Sequence, residues 1–259
     1  MAVPSISPTR LNDADAALPT LVLGPSLGST ATSIWHLVAP HLAPHLRLLG
    51  WDLPGHGEAE AAVEGFSMGE LAAGVKAMVD ETVAGEAHYA GVSIAGAVGV
   101  QLGHDYPDAF ASIAIICSAA KIGTPETWHD RAELVRHQGS TDVLEEGSKQ
   151  RWFGPGFVDA HPGRVAEALD SLRATDSASY AFACEALADY DLTAELGRIT
   201  APLLAVAGEH DGVCPPAAAA TLATGVANGR SAVVPGAAHL TPLEAPETIA
   251  GLIARHVLG

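Results

Sequence analysis

Short, largely apolar runs that do not alternate, each followed by a stretch of helical pattern, restrict this chain to a mainly parallel sheet covered by helices on both faces. The runs are Thr20 to Leu23, Leu46 to Trp51, Glu86 to Val92, Ser112 to Cys117, Leu203 to Ala207 and Ala232 to Val234. A strand with one wet face would alternate polar and apolar residues, whereas a run apolar throughout must be buried on both sides. At 259 residues and 48% apolar, the chain can bury such a sheet as one domain. The alternation stops between Lys121 and Tyr190, where helical patterns follow one another without a strand: Pro125 to Gln138, Thr141 to Trp152, Arg164 to Thr175 and Ser177 to Tyr190. The expected architecture is α/β, with residues 1–120 and 191–259 as the core and 121–190 as a helical lid inserted before the last two strands.

Within this pattern, Gly91-Val92-Ser93-Ile94-Ala95-Gly96 places a serine between a strand and a helix start rich in small residues. A serine in that turn is thrust out at the carboxyl end of the strand, and small neighbours leave room for the folded-back chain. The usual pattern is G-x-S-x-G; here alanine replaces the last glycine, a single added methyl. Ser93 is therefore the candidate nucleophile. Two further strand runs each end in a residue type that a nucleophilic serine needs: Gly208-Glu209-His210-Asp211 closes one, and Ala237-Ala238-His239 follows the other. A serine hydroxyl attacks only when a neutral imidazole takes its proton, and the imidazolium needs a carboxylate to hold its tautomer and charge. His239 is the expected base and Asp211 the expected acid, with Glu209 as the nearest rival on the same loop. The remaining histidines, among them His36, His41, His45, His161 and His256, sit in helical or loop segments and are expected to be solvated. The order Ser, Asp, His is that of a triad on the α/β-hydrolase sheet, which is the fold class expected.

Acyl transfer also requires donors for the developing oxyanion. The Ile94 amide, just after the serine at a helix start, is one candidate. The other is the Leu27 amide in the turn Gly24-Pro25-Ser26-Leu27-Gly28-Ser29 after an earlier strand. A further turn, Asp52-Leu53-Pro54-Gly55-His56-Gly57, is rigid and lies near the edge of the site.

Charge limits the partners. With 13 Lys and Arg against 30 Asp and Glu, the net charge of −17 argues against nucleic acid and anionic membranes. Seven of the basic residues fall between Lys121 and Arg173, so the lid is where an anion is tolerated. Cys117, Cys184 and Cys214 show no paired or metal-type spacing and are expected to be structural thiols. The N-terminus lacks a basic start followed by an apolar core, and no run reaches the ~18 apolar residues of a membrane span. A soluble, cytoplasmic chain is the expectation.

The chain resembles the 3-oxoadipate enol-lactonases of bacterial aromatic catabolism along nearly its whole length. The more specific parts are Ser26-Leu27-Gly28-Ser29 with Trp35, the elbow from Gly91 to Gly99, and the lid segments Trp128-His129-Asp130-Arg131 and Arg151-Trp152-Phe153. Tyr180 to Leu187 with Asp191-Leu192, and the ending Ala238 to Glu247, are similar too. The resemblance implies hydrolysis of a small anionic enol-lactone to 3-oxoadipate by Ser93, Asp211 and His239, with no metal or organic cofactor. It points to Arg131 for the substrate carboxylate, with Arg151 in reserve, and to Trp128 and Trp152 as apolar walls. The same triad also suits a general carboxylesterase or a cofactor-free perhydrolase. Outside the enzymes, the fold could serve as a receptor or binding module.

Overall fold

The computed structural model describes residues 3–15 and 17–259. Seven strands among them form one sheet in the order β1-β3-β2-β4-β5-β6-β7. They are β1 (Pro8–Arg10), β2 (Thr20–Gly24), β3 (Arg47–Trp51), β4 (Ala87–Val92), β5 (Ser112–Ile116), β6 (Leu203–Gly208) and β7 (Gly229–Val234). All neighbours are parallel except β1 and β3. Every residue of β2, β4, β5 and β6 is buried, which is why these runs show no polar alternation. The edges read differently. In β7 only Val234 is fully buried, so its first half, Gly229 to Ser231, carries no apolar signal, and the strand begins earlier than the expected Ala232. The short β1 has no pattern of its own; it exists because β3 offers a free edge, with Thr9 opposite Gly50.

The helices α1 (Ala31–Trp35), α2 (Ala39–Leu42), α3 (Met68–Thr82) and α4 (Ile94–Asp105) lie in the first half of the chain. A capping box between Ser67 and Glu70 starts α3, satisfying amides that the first turn leaves unpaired. At 15 residues α3 is the longest helix described, and no helix among the described residues is long and apolar enough to cross a membrane.

Between β5 and β6 the chain forms the lid: α5 (Pro125–Gln138), a 3₁₀ turn (Asp142–Leu144), α6 (Glu145–Trp152), α7 (Phe157–Ala160), α8 (Pro162–Arg173) and α9 (Ser177–Ala188). Four of these lie where helical pattern is found in the sequence; the single turn of α7 has too few residues to show a period. Helix α5 starts at the Thr124 cap with Pro125 in its first turn and stops at Gly139, whose φ of 65° suits glycine. Its buried face, Trp128, Ala132 and Val135, follows the spacing of one helix side. Arg136 of α5 pairs with Glu185 of α9 across the surface. After β6 come α10 (Pro216–Gly225), α11 (Thr241–Glu244) and α12 (Pro246–Val257), which complete the outer layers.

The first parallel strand lies in the sheet's interior: from β2 the chain steps outward to β3, then crosses back over to β4 and proceeds toward β7. The loops after β2 and β4 therefore leave in opposite directions and open a crevice at the strands' carboxyl ends. That crevice is where the candidate residues meet.

Candidate active site

Ser93 follows β4 with φ 56° and ψ −117°, a backbone conformation that side-chain-bearing residues rarely adopt. Such strain costs on the order of 1–3 kcal/mol and is held here by packing on every side. The Ser93 amide donates to the Ile116 carbonyl at 2.9 Å. A Cβ at Gly91 would stand 2.3 Å from the Ala95 carbonyl oxygen, so the turn demands glycine there. Ala95 is accommodated by a second absence. A Cβ at Gly24 of β2 would lie 2.5 Å from the Ala95 Cβ and 2.9 Å from the Trp51 ring. Gly24→Ala is expected to cost ~2 kcal/mol by overpacking, with Ala95→Gly in the same chain recovering part of the loss. Urea denaturation measures both, and a Gly24→Ala chain of wild-type stability would refute the pairing.

His239, in the loop after β7, puts Nε2 2.9 Å from Ser93 Oγ. Its Nδ1 lies 2.9 Å from Asp211 Oδ2 and 3.1 Å from Oδ1, so Nδ1–H donates to the carboxylate and Nε2 faces the serine as acceptor. All three side chains are buried. Burial would raise the Asp211 carboxyl, but the His239 hydrogen bond and charge, with the Cys214 and Val213 amides, outweigh it and hold the carboxyl below its ordinary value. Those amides donate to Oδ1 at 2.9 and 2.8 Å. Asp211 is thus an anchored, buried group. Glu209, the rival, is exposed and accepts from the Gly236 amide at 2.9 Å, turned away from the imidazole.

The Cys117 thiol lies close to both partners, with ligand atoms of Cys117, Asp211 and His239 within 4.8 Å of one another. Burial first, then the Asp211 charge, pushes this thiol well above its ordinary value. It stays protonated, donating to the Ala238 carbonyl at 3.5 Å, which is the wrong form for a metal ligand. Cys184 and Cys214 are likewise buried and free.

Leu27 lines the cavity that Ser93 lines, and Ile94 directly follows Ser93 at the start of α4; neither residue's amide has a hydrogen-bond partner among the described residues. The turn holding Leu27 is closed by the Ser29 amide and hydroxyl, which donate to the Ser26 carbonyl at 3.1 and 2.7 Å. Beneath it, Gly28 N–H donates to His56 Nε2 at 3.1 Å, while His56 Nδ1–H donates to the Pro54 carbonyl at 3.0 Å. Burial lowers the His56 imidazole from 6.5 to about 4, against the opposing pull of the Pro54 carbonyl and the Asp176 charge. A histidine held neutral in the fold stabilises fully above its unfolded value. As pH falls from 6.5 toward about 4, the unfolded chain takes up the proton first and that stability is lost, roughly 3 kcal/mol in all. Urea titrations across that range should show this slope, and His56→Gln should flatten it. A slope unchanged by His56→Gln would assign the acid sensitivity to other groups, such as His88 and His256, which burial also lowers. His256 differs from the solvated state expected for it: it is partly buried, with Nε2 3.1 Å from the Ile113 carbonyl.

Over the serine lies a cavity of about 300 Å³ with Ser93, His239 and Leu27 in its floor. The lid supplies Trp128, Arg131, Arg151, Trp152 and Tyr180 to its walls. The Arg131 guanidinium sits over the Trp128 ring at 5.0 Å. Burial, then the charge of Arg131, holds Arg151 below the ordinary guanidinium value. Neither arginine forms an ion pair with a carboxylate among the described residues. The Tyr180 hydroxyl is buried beside both arginines and is pushed above the ordinary phenol value, mainly by burial.

The structure adds a group the sequence reading did not single out. Glu244 Oε2 accepts from the Ala238 amide at 2.7 Å and Oε1 from the Gly154 amide at 2.6 Å. The Leu240 amide donates to the Trp152 carbonyl at 3.0 Å, so the histidine loop is stitched to the end of α6. Glu244 falls within the ending that resembles the lactonases, but only the fold reveals its partners.

A family model described as alpha/beta hydrolase fold matches residues 19–154. The 3-oxoadipate enol-lactonase 2 of Acinetobacter baylyi is 31% identical over 88% of this chain and 85% of its own. The pimeloyl-acyl-carrier-protein methyl ester esterase of Aeromonas hydrophila is 29% identical over 93% of this chain and 96% of its own. Among solved structures, the enol-lactonase from Burkholderia xenovorans superposes with a TM-score of 0.92 at 29% identity, covering 98% of this chain and 96% of that one. These likenesses agree with a parallel sheet that turns sharply at a strained serine after β4: the chain belongs to the alpha/beta hydrolase fold family, and within that family it is similar to 3-oxoadipate enol-lactonases.

Proposed function

We propose that this hydrolase opens the ring of 3-oxoadipate enol-lactone to give 3-oxoadipate. The observation that carries the reading is a buried Ser93–His239–Asp211 hydrogen-bond chain beneath a small cavity whose lid wall holds two arginines without a carboxylate partner. In a chain of net charge −17, long-range attraction does not bring in an anion, so local cations must offset the desolvation of the substrate carboxylate. Arg131 and Arg151 supply that charge, and a guanidinium can hold a carboxylate through two parallel hydrogen bonds.

With the carboxymethyl arm against the arginines, the lactone carbonyl faces Ser93. His239 Nε2 takes the hydroxyl proton as Oγ attacks, and Asp211 stabilises the imidazolium. The Leu27 and Ile94 amides donate hydrogen bonds to the developing oxyanion. As the tetrahedral species collapses, the C–O bond to the ring oxygen breaks and His239 Nε2–H protonates the departing enol oxygen. The enol becomes a ketone, which draws the ring opening forward. Water, deprotonated by the same Nε2, then attacks the acyl-serine and releases the second carboxylate of the product with Ser93 restored. Each proton is taken and given by one imidazole, and none of these steps calls for a metal or organic cofactor.

The similarity to a methyl ester esterase favours a second reading, a carboxylesterase of broader scope. The discriminating assay is a panel of small lactones with and without a carboxylate, run beside simple aryl esters. Preference for the carboxylate-bearing enol-lactone supports the proposal. Equal or better turnover of neutral esters transfers the assignment to the esterase, and a wild type that neither hydrolyses any of them nor reacts with a fluorophosphonate points to a binding protein.

A further inference from the structure

The turn after β3, Asp52 to Gly57, takes no part in the steps above, yet it grips the loop after β2 at Gly28 and the start of α1 at Ala31. Asp52 Oδ1 accepts from the Ala31 amide at 2.6 Å, and His56 Nε2 accepts from the Gly28 amide at 3.1 Å. His56 is fully buried, so no water can replace either of its hydrogen bonds. Its tautomer follows from its partners: the Pro54 carbonyl can only accept, which puts the proton on Nδ1, and leaves Nε2 as the acceptor that the Gly28 N–H requires. The ring also lies against Tyr180 of α9, with centroids 6.4 Å apart and planes 18° from parallel. Gly28 is the residue after Leu27, whose amide stands without a partner at the cavity floor.

We propose that His56 is a positioning residue for the oxyanion loop: by accepting the Gly28 N–H, its Nε2 fixes the turn so that the Leu27 amide stays aimed into the cavity. The proposal rests on the reading of Leu27 as an oxyanion donor. An amide already held in place needs no reorganisation as charge develops, and that is the source of its effect on rate. A misaimed Leu27 amide would bind substrate much as before and would fail in the transition state, so the effect belongs in kcat and not in KM.

Two substitutions separate this role from simple packing. His56→Phe keeps a ring against Tyr180 and removes the acceptor; His56→Gln loses the ring but offers a side-chain oxygen near the position of Nε2. On the enol-lactone and on an aryl ester alike, His56→Phe is expected to lower kcat about 10- to 100-fold, with KM nearly unchanged, and His56→Gln to recover part of it. Affinity for a boronic acid, whose tetrahedral adduct carries the oxyanion, should fall in step with kcat/KM. If packing were the whole role, the order would reverse, with His56→Phe the better variant; that order, or a His56→Phe rate equal to wild type, overturns the proposal. Should neither variant fold, the wild type still decides: with ¹⁵N-glycine labelling, the Gly28 amide should exchange slowly at neutral pH, and fast exchange there overturns it. A wild type that neither reacts with a fluorophosphonate nor hydrolyses either substrate overturns the functional reading itself, whereas an active wild type matched by His56→Phe overturns only the role of His56.

Discussion

Ser93→Ala, His239→Ala and Asp211→Asn are each expected to abolish most turnover while leaving the fold intact, and the triple variant is expected to be little worse than the worst single one. The three side chains form one hydrogen-bonded unit, so the loss of any member disables the others. For Ser93→Ala and His239→Ala the fall in kcat should be on the order of 10⁶-fold, and for Asp211→Asn about 10⁴-fold, because the asparagine amide cannot hold His239 in the tautomer that presents Nε2 as a base. Glu209→Gln should leave the rate close to wild type, since Glu209 is engaged with the Gly236 amide. Near-full activity in Asp211→Asn beside an inactive Glu209→Gln would move the acid to Glu209.

Substitution of the lid arginines should separate charged from neutral substrates. Arg131→Lys keeps the charge but loses the planar fork and the face-on contact with Trp128. Turnover of the enol-lactone, as kcat/KM, is expected to fall about 10- to 100-fold, the size of a lost charge-assisted hydrogen bond, while a small neutral ester changes little. Arg151→Lys should behave in the same direction. Equal damage to both substrates would make Arg131 a structural lid residue. No damage to either would mean that the carboxylate is bound elsewhere.

What the sequence makes legible is whatever a short stretch specifies by itself. The run through β4 and the small residues after Ser93 announce a strand, a turn and a helix start, and the structure places each there. Lid helices α5 and α9 carry their own caps at Thr124 and Asp176 and so can be read locally. The features that escape the sequence depend on a distant partner. Strand β1 is defined by the free edge of β3, and the polar half of β7 by its register with β6, Leu203 opposite Gly229. His56 stands in a turn recognisable as rigid, yet nothing in Pro54-Gly55-His56 says that its ring nitrogen meets Gly28. The methyl of Ala95 reads as a small departure from a motif; that Gly24 makes room for it can be seen only once β2 lies beside β4.

The carboxylate of Glu244 bears on how such a protein can be modified. It ties the backbone just before His239 to the backbone just after α6, the helix that carries Arg151 and Trp152. The lid is therefore not an interchangeable cassette. A chimaera that imported another lid while keeping residues 236–244 of this chain would leave the His239 loop without its partners after α6, and is expected to lose rate on every substrate. A transplant has to carry both sides of the Glu244 bridge, so the lid and the histidine loop can only be exchanged together.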